Sequence, residues 1–236
     1  FPAEDRQDWE AQMNDFYKSD VELPATMIVD GQRYDGVGVH FRGMSSFFTV
    51  KEGLKRSLNV SLDFIDPKQR IEGYKTLNLL NNHEDSSLLH AILYSEIARK
   101  YLPAPRPNMV RVVINGENWG LYTNVQQFDK VFLVENFETA SGTRWKVPGN
   151  PGADGGLRYL GDDVKDYKER FEIKSGDHKD DWKALINLCR VLNETPTEKL
   201  VEALTPILDI DGVLRFLAVE NVLVNGDGYW VRGSDY

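Results

Sequence analysis

Polar and apolar residues alternate through the first half of the chain and then recur at helical spacing through the second. Ala25 to Val29 reads as a short strand, Asp30-Gly31 as a hairpin turn, and Arg33 to Phe41 as the return strand. Side chains alternate along a strand, so Val37, Val39 and Phe41 share one face while Gly38, His40 and Arg42 share the other. In Ser57 to Phe64, Leu58, Val60, Leu62 and Phe64 alternate with Asn59, Ser61 and Asp63, which predicts a half-buried strand. The same alternation, extended backwards, puts Lys55 on the polar face. Tyr74 to Leu80 predicts a further strand. A helix is expected to begin at Asp85, with Leu88, Leu89, Ile92, Leu93, Ile97 and Tyr101 on its core face. Pro103, Pro105 and Pro107 end that helix. Val110 to Ile114, Asn115-Gly116 and Trp119 to Val125 predict a second hairpin, followed by a short helix near Lys130.

Beyond Lys130 the pattern changes. Trp145 to Tyr159 is rich in glycine and proline and reads as an irregular loop, and Asp162 to Asp181 reads as a solvated, charged surface. Trp182, Leu185, Ile186, Cys189 and Leu192 form one helical stripe. Thr195-Pro196-Thr197-Glu198 opens another helix, with Leu200, Val201, Leu204 and Ile207 facing inward. Asp209 or Asp211 caps the last helix, whose apolar run Val213 to Val224 predicts burial nearly all round. The chain is therefore expected to be α+β: a β-rich lobe over 1–130 with one inserted helix, then a helical lobe over 131–236.

Candidate chemistry lies at the lobes' polar points. The last helix stops in Asn225-Gly226-Asp227-Gly228, which holds Asp227 on a loop at the mouth of a packed helix. A carboxylate so placed is either a turn residue or a general base or metal ligand. Arg42, Lys55 and the small-residue loop Gly43-Met44-Ser45-Ser46 are either surface features or a grip for phosphate oxygens. Asp85 is a helix cap or the partner of a cation, and Glu96 could fill the second role. No Cys/His metal constellation is visible, and His83 and His90 are too loosely placed to claim as ligands.

Composition narrows the choices. The 236 residues are 41% hydrophobic and 28% charged, the proportions of a globular protein with a core. A net charge of -9 argues against a nucleic-acid backbone or an anionic membrane as main partner, but leaves room for a nucleotide. The lone cysteine, Cys189, cannot form an internal disulfide and reads as a buried thiol. No segment is long and apolar enough for a membrane span. Phe1-Pro2-Ala3-Glu4 does not read as a signal peptide.

Taken in order, several segments resemble the CotH kinases, a family of spore-coat-type secreted atypical protein kinases. They are His40-Phe41-Arg42-Gly43-Met44-Ser45-Ser46, Lys55-Arg56-Ser57-Leu58, Leu77-Asn78-Leu79 with Asp85-Ser86-Ser87, Val113-Ile114-Asn115-Gly116 with Gly120-Leu121-Tyr122, and Asn225-Gly226-Asp227. The resemblance implies a protein-kinase-like two-lobe fold, ATP with Mg2+ or Mn2+, and phosphorylation of Ser or Thr on a protein substrate. It implies that Arg42, Ser45, Ser46 and Lys55 hold phosphates, with Asp85 or Glu96 orienting the lysine or a metal. Asp227 is implied as the base that accepts the substrate hydroxyl proton, and Asp235, with Asp227, as a metal ligand. The implied address is secreted, cell-surface or spore-coat, and a monomer is expected. The family carries a further metal-binding aspartate in a Trp-Asp-x-Asp-like motif after this region, so the sequence is expected to be part of a longer protein. The alternative is a non-catalytic extracellular binding or adhesion module on the same scaffold.

Overall fold

A computed structural model describes residues 6–19, 21–148, 155–175 and 179–233. The fold is α+β, and the chain divides into two compact units, Phe1–Ala140 and Ser141–Tyr236. The first runs α1 (Arg6–Asp15), β1 (Leu23–Val29), β2 (Gln32–Phe41), α2 (Ser45–Thr49), β3 (Leu58–Ser61), β4 (Thr76–Leu80), α3 (His90–Ala98), β5 (Pro107–Ile114), β6 (Glu117–Val125) and α4 (Lys130–Phe137). Its strands form one antiparallel sheet in the order β1-β2-β3-β4-β6-β5. Both hairpins turn on two residues of positive φ, Asp30 and Gly31 in one and Asn115 and Gly116 in the other. These are the backbone angles that match the strands' twist.

Val37, Val39 and Phe41 of β2, Leu58 and Val60 of β3 and Leu79 of β4 bury one face of this sheet. Trp9 and Met13 of α1 join the same core, with Trp9 edge-on to Trp119 at 5.5 Å. The opposite face is polar. His40, Asn59 and Asn78 lie in register across β2, β3 and β4. α4 belongs to this unit because Glu135 accepts hydrogen bonds from Gln126 (2.8 Å) and Tyr74 (2.9 Å) and pairs with Arg106 at 3.3 Å.

The second unit runs β7 (Arg144–Lys146), α5 (Val164–Lys168), β8 (Glu172–Ser175), α6 (Lys179–Glu194), α7 (Thr197–Leu204), α8 (Ile210–Val222) and α9 (Tyr229–Arg232). β7 and β8 pair as a two-stranded antiparallel ribbon. Val147, Tyr167, Phe171, Trp182, Leu185, Ile186 and Cys189 form its core.

Several expectations are corrected. β3 stops at Ser61, and Phe64 is exposed rather than core-facing because the chain turns away after Leu62. Lys55 precedes this strand instead of lying on it. Ser45 and Ser46 are not loop residues; they open the one-turn helix α2. α3 begins at His90, five residues after Asp85. Glu84 and Leu88 sit at positive φ, which no right-handed helix can contain. Leu89, Leu93, Ile97 and Tyr101, expected in the core, are exposed. The segment 162–181 is more than a solvated surface, since Tyr167 and Phe171 are core residues and β8 lies within it. Trp145, assigned to an irregular loop, lies in β7. In α7 only Leu204 is buried, and Val201 points outward. α8 is not buried all round: Val219 and Glu220 are buried while Leu214 and Val222 are exposed. A helix packed on one stripe leaves the rest of an apolar sequence uncovered.

Candidate functional site

The polar face of the first unit's sheet carries two hydrogen-bonded groups of buried and half-buried side chains. Glu22 accepts from Ser61 at 2.7 Å and sits 2.9 Å from Nδ1 of His40. Asn59 donates to Asn78 at 2.9 Å, and Asn78 donates to Val125 O at 3.1 Å and Gln127 Oε1 at 2.9 Å. Arg42 follows His40 on the same face, its backbone N–H held by Ser57 O at 3.0 Å. Among the described residues its guanidinium has no hydrogen-bonding or ionic partner, and burial lowers its pKa from the ordinary arginine value. A half-buried cation without a counter-charge is costly, so this position is suited to receive an anion.

Lys55 is tethered differently. Its Nζ donates to Leu121 O at 2.6 Å and stands 4.9 Å from the Tyr122 ring centroid. Burial lowers its pKa. Two of its three donor protons remain for a ligand. The neighbouring Arg56 has a structural part. It donates twice to Val50 O, at 3.1 and 2.9 Å, and also to Asn14, and it lies 4.3 Å over the Phe47 ring. This closes the loop that carries α2, whose first turn holds exposed Ser45 and half-buried Ser46.

Asp85 organises the turn before α3. Its carboxylate accepts from the Ser87 hydroxyl and N–H and from His90 N at 2.9 Å. The Ser87 hydroxyl bond is the main reason its pKa falls below the usual carboxylate value. Glu96 lies 3.6 Å from Arg99. Lys55 forms an ion pair with neither carboxylate. His83 Nε2 meets Thr49 Oγ1 at 2.7 Å.

In the second unit, Asp227 is exposed on the loop after α8. One carboxylate oxygen is 2.9 Å from Arg232 Nη1, and its N–H is held by Asn225 Oδ1 at 3.2 Å. The loop is anchored from below by Glu220, 3% exposed, whose two oxygens each accept from Asn225 Nδ2 at 2.9 Å. Gly228 packs so closely that a Cβ there would lie 2.1 Å from Glu220 Oε2. Asp235 lies outside the described residues. Among the described residues no group of three or more His, Cys, Asp or Glu side chains could hold a metal ion. Asp227 is thus the one assigned metal ligand that the structure describes, and it is already ion-paired.

Sequence reasoning gave no role of their own to Glu220, Asn225, Gln127 and Asn78 and missed the structural role of Arg56. Glu220 had a legible signal, a carboxylate inside an apolar helix. Asn78 had one too, as the carboxamide set between leucines in Thr76-Leu77-Asn78-Leu79-Leu80.

Among the described residues, no helix is long and apolar enough to cross a membrane. The chain is 25% identical over 218 residues to the inner spore coat protein H of Bacillus subtilis (strain 168). The match covers 89% of this chain and 56% of that protein, so the chain spans about half the relative's length. The model of the family described as CotH kinase protein matches residues 39–236, a span that takes in Arg42, Lys55, Asp85 and Asp227. The chain belongs to the CotH kinase protein family.

Proposed function

We propose that the chain forms the nucleotide-binding and catalytic region of an ATP- and divalent-metal-dependent kinase that phosphorylates Ser or Thr of a protein, on a protein-kinase-like fold. The observation that carries this is Arg42, a half-buried guanidinium without a partner on a polar sheet face. Family membership and the relative's spore-coat name support it. A spore-coat or other extracellular setting for the protein is proposed on the same ground.

Phosphoryl transfer needs charge neutralisation, in-line positioning and a carboxylate beside the attacking hydroxyl. Arg42 supplies a fork for phosphate oxygens, and Lys55 adds a second cation. The Ser45 and Ser46 hydroxyls donate to the same phosphates. Asp85, its pKa lowered mainly by the Ser87 hydroxyl, stays ionised, and its role is to orient Lys55 or a metal. Asp227 takes the proton of the attacking hydroxyl once its carboxylate leaves Arg232. Mg2+ or Mn2+ would neutralise phosphate charge, with Asp227 and Asp235 as its protein ligands. Of these two, Asp227 lies among the described residues, and it is ion-paired with Arg232.

One observation favours a second reading. The Asp227–Arg232 pair occupies the assigned base, as expected of a non-catalytic binding module. Thermal shift with ATP and Mg2+ or Mn2+, followed by transfer from γ-labelled ATP to a Ser/Thr protein substrate, separates the two. A shift with transfer supports the kinase, a shift without transfer supports the module, and no shift overturns nucleotide binding. Lys55→Ala is expected to weaken ATP binding several-fold. Asp227→Ala is expected to abolish transfer with the fold intact, and substantial residual transfer would remove Asp227 as the base.

A further inference from the structure

The amide row on the polar sheet face has a fixed direction. Asn78 is 3% exposed, and its Nδ2 reaches Val125 O at 3.1 Å. A backbone carbonyl only accepts, so the nitrogen of Asn78 must be on that side. Its Oδ1 is then an acceptor, which requires Asn59 to present Nδ2, at 2.9 Å. The second proton of Asn78 Nδ2 goes to Gln127 Oε1 at 2.9 Å, which turns the Gln127 nitrogen outward. Three carboxamides therefore chain head to tail from β3 through β4 to the end of β6. Two opposite functions are left without partners among the described residues: the acceptor Oδ1 of Asn59 at one end and the donor Nε2 of Gln127 at the other. Isolated surface amides carry no such polarity; this one is imposed by a main-chain carbonyl.

The row also has a charged end. Asn59 is the register partner of His40, and Arg42 lies two residues beyond His40, just past the end of β2, where its N–H continues the pairing to Ser57 O. At the usual strand rise that separation is about 7 Å, and two strand spacings put the two ends of the row about 10 Å apart. The sequence of groups across the face is thus cation, acceptor, donor. A ribonucleotide presents the complementary sequence of phosphate, ribose hydroxyl and ring nitrogen, over a comparable span.

Resting on the nucleotide assignment above, we propose that Asn59 and Gln127 are the specificity residues of the site, binding a purine ribonucleotide laid along the row with its phosphates toward Arg42. Asn59 Oδ1 accepts from a ribose hydroxyl. Gln127 Nε2 donates to a ring nitrogen of the base. Asn78 touches neither and is a positioning residue, since it sets which atom each neighbour turns outward.

Competition against a fluorescent ATP analogue tests this, using the whole chain with Mn2+ and four competitors: ATP, CTP, 2',3'-dideoxy-ATP and inorganic triphosphate. ATP is expected to bind at least tenfold more tightly than triphosphate and better than CTP. Gln127→Glu keeps the oxygen that accepts from Asn78 but removes the outward donor. It should weaken ATP about tenfold relative to triphosphate, a ratio that cancels the effect of the added charge. Asn59→Ala should erase the preference for ATP over its dideoxy form while leaving triphosphate unchanged. Circular dichroism and thermal melting confirm that each variant is folded. Triphosphate binding as tightly as ATP would overturn the proposal and leave the phosphate site standing. Equal losses for ATP and triphosphate in the two variants, or no loss in either, would also overturn it. Failure of every competitor to bind would overturn the nucleotide assignment itself.

Discussion

Arg42 sets the functional question at the scale of single residues, because the fold has no evident need of its charge. Its guanidinium is half-buried, unpartnered among the described residues, and shifted downward by burial. A group kept for stability would be paired. Arg42→Met should therefore leave stability unchanged or raise it by about 1–2 kcal/mol in urea unfolding. The same variant should lose the thermal shift given by ATP with Mn2+. A clear loss of stability would show that Arg42 has a structural partner in solution. Arg56, one residue from Lys55, is the contrast. It donates to Val50 O and Asn14 and stacks on Phe47, so Arg56→Met should destabilise the protein by about 1–3 kcal/mol. Type and spacing alone could not separate these two arginines. Alternation put Arg42 on the polar face correctly, but the role of Arg56 depends on loop closure over 42 residues of separation from Asn14.

Single elements show where a local pattern suffices and where packing decides. The two hairpins were legible from Asp30-Gly31 and Asn115-Gly116, because turn chemistry is local. The α3 stripe was legible as a helix but not as a surface. Leu89, Leu93, Ile97 and Tyr101 recur every four residues, yet all are exposed. Periodicity reports which residues share a face, not what covers it. The Asp227 loop was legible as a helix stop, while its support from Glu220 beneath was not. Gly228→Ala would place a Cβ 2.1 Å from Glu220 Oε2 and 2.8 Å from Asn225 Nδ2. The expected cost is about 1–3 kcal/mol, with loss of transfer activity greater than the loss of stability explains. Unchanged activity and stability would show that Glu220 does not brace the loop. Helix α4 offers a pH test. Burial alone would raise the pKa of Glu135, but hydrogen bonds from Gln126, Tyr74 and Arg106 outweigh it, and the net shift is downward. A carboxyl with a depressed folded pKa adds stability above its ordinary value of 4.5, lost as pH falls through the depressed one. Glu135→Gln should therefore narrow the stability gap between pH 6 and acid, measured as the urea midpoint at each pH.

On the scale of the whole chain, the β-rich first half and helical second half were legible because strand and helix periods differ, and period is a property of sequence. The distribution of the core was not. It falls into two separate clusters, one drawn from Trp9 to Tyr122 and the other from Val147 to Cys189. Each unit therefore buries apolar surface of its own, which is the condition for each to unfold as its own cooperative block. Leu62, fully buried in the first cluster, and Ile186, 6% exposed in the second, provide the test. Replacing either by alanine should cost about 2–5 kcal/mol, because a cavity is left in close-packed surroundings. If the blocks are independent, Leu62→Ala should lower hydrogen-exchange protection in β2, β3 and β4 and leave α6 at its wild-type level. Ile186→Ala should do the reverse. Loss of protection in both units from either substitution would show a single cooperative block. Independent blocks would bear on the proposed catalysis too, since Arg42 and Lys55 belong to one unit and Asp227 to the other. Added ATP with Mn2+ should then raise protection in the Arg42 block first, and in the Asp227 block only when a Ser/Thr substrate is also present.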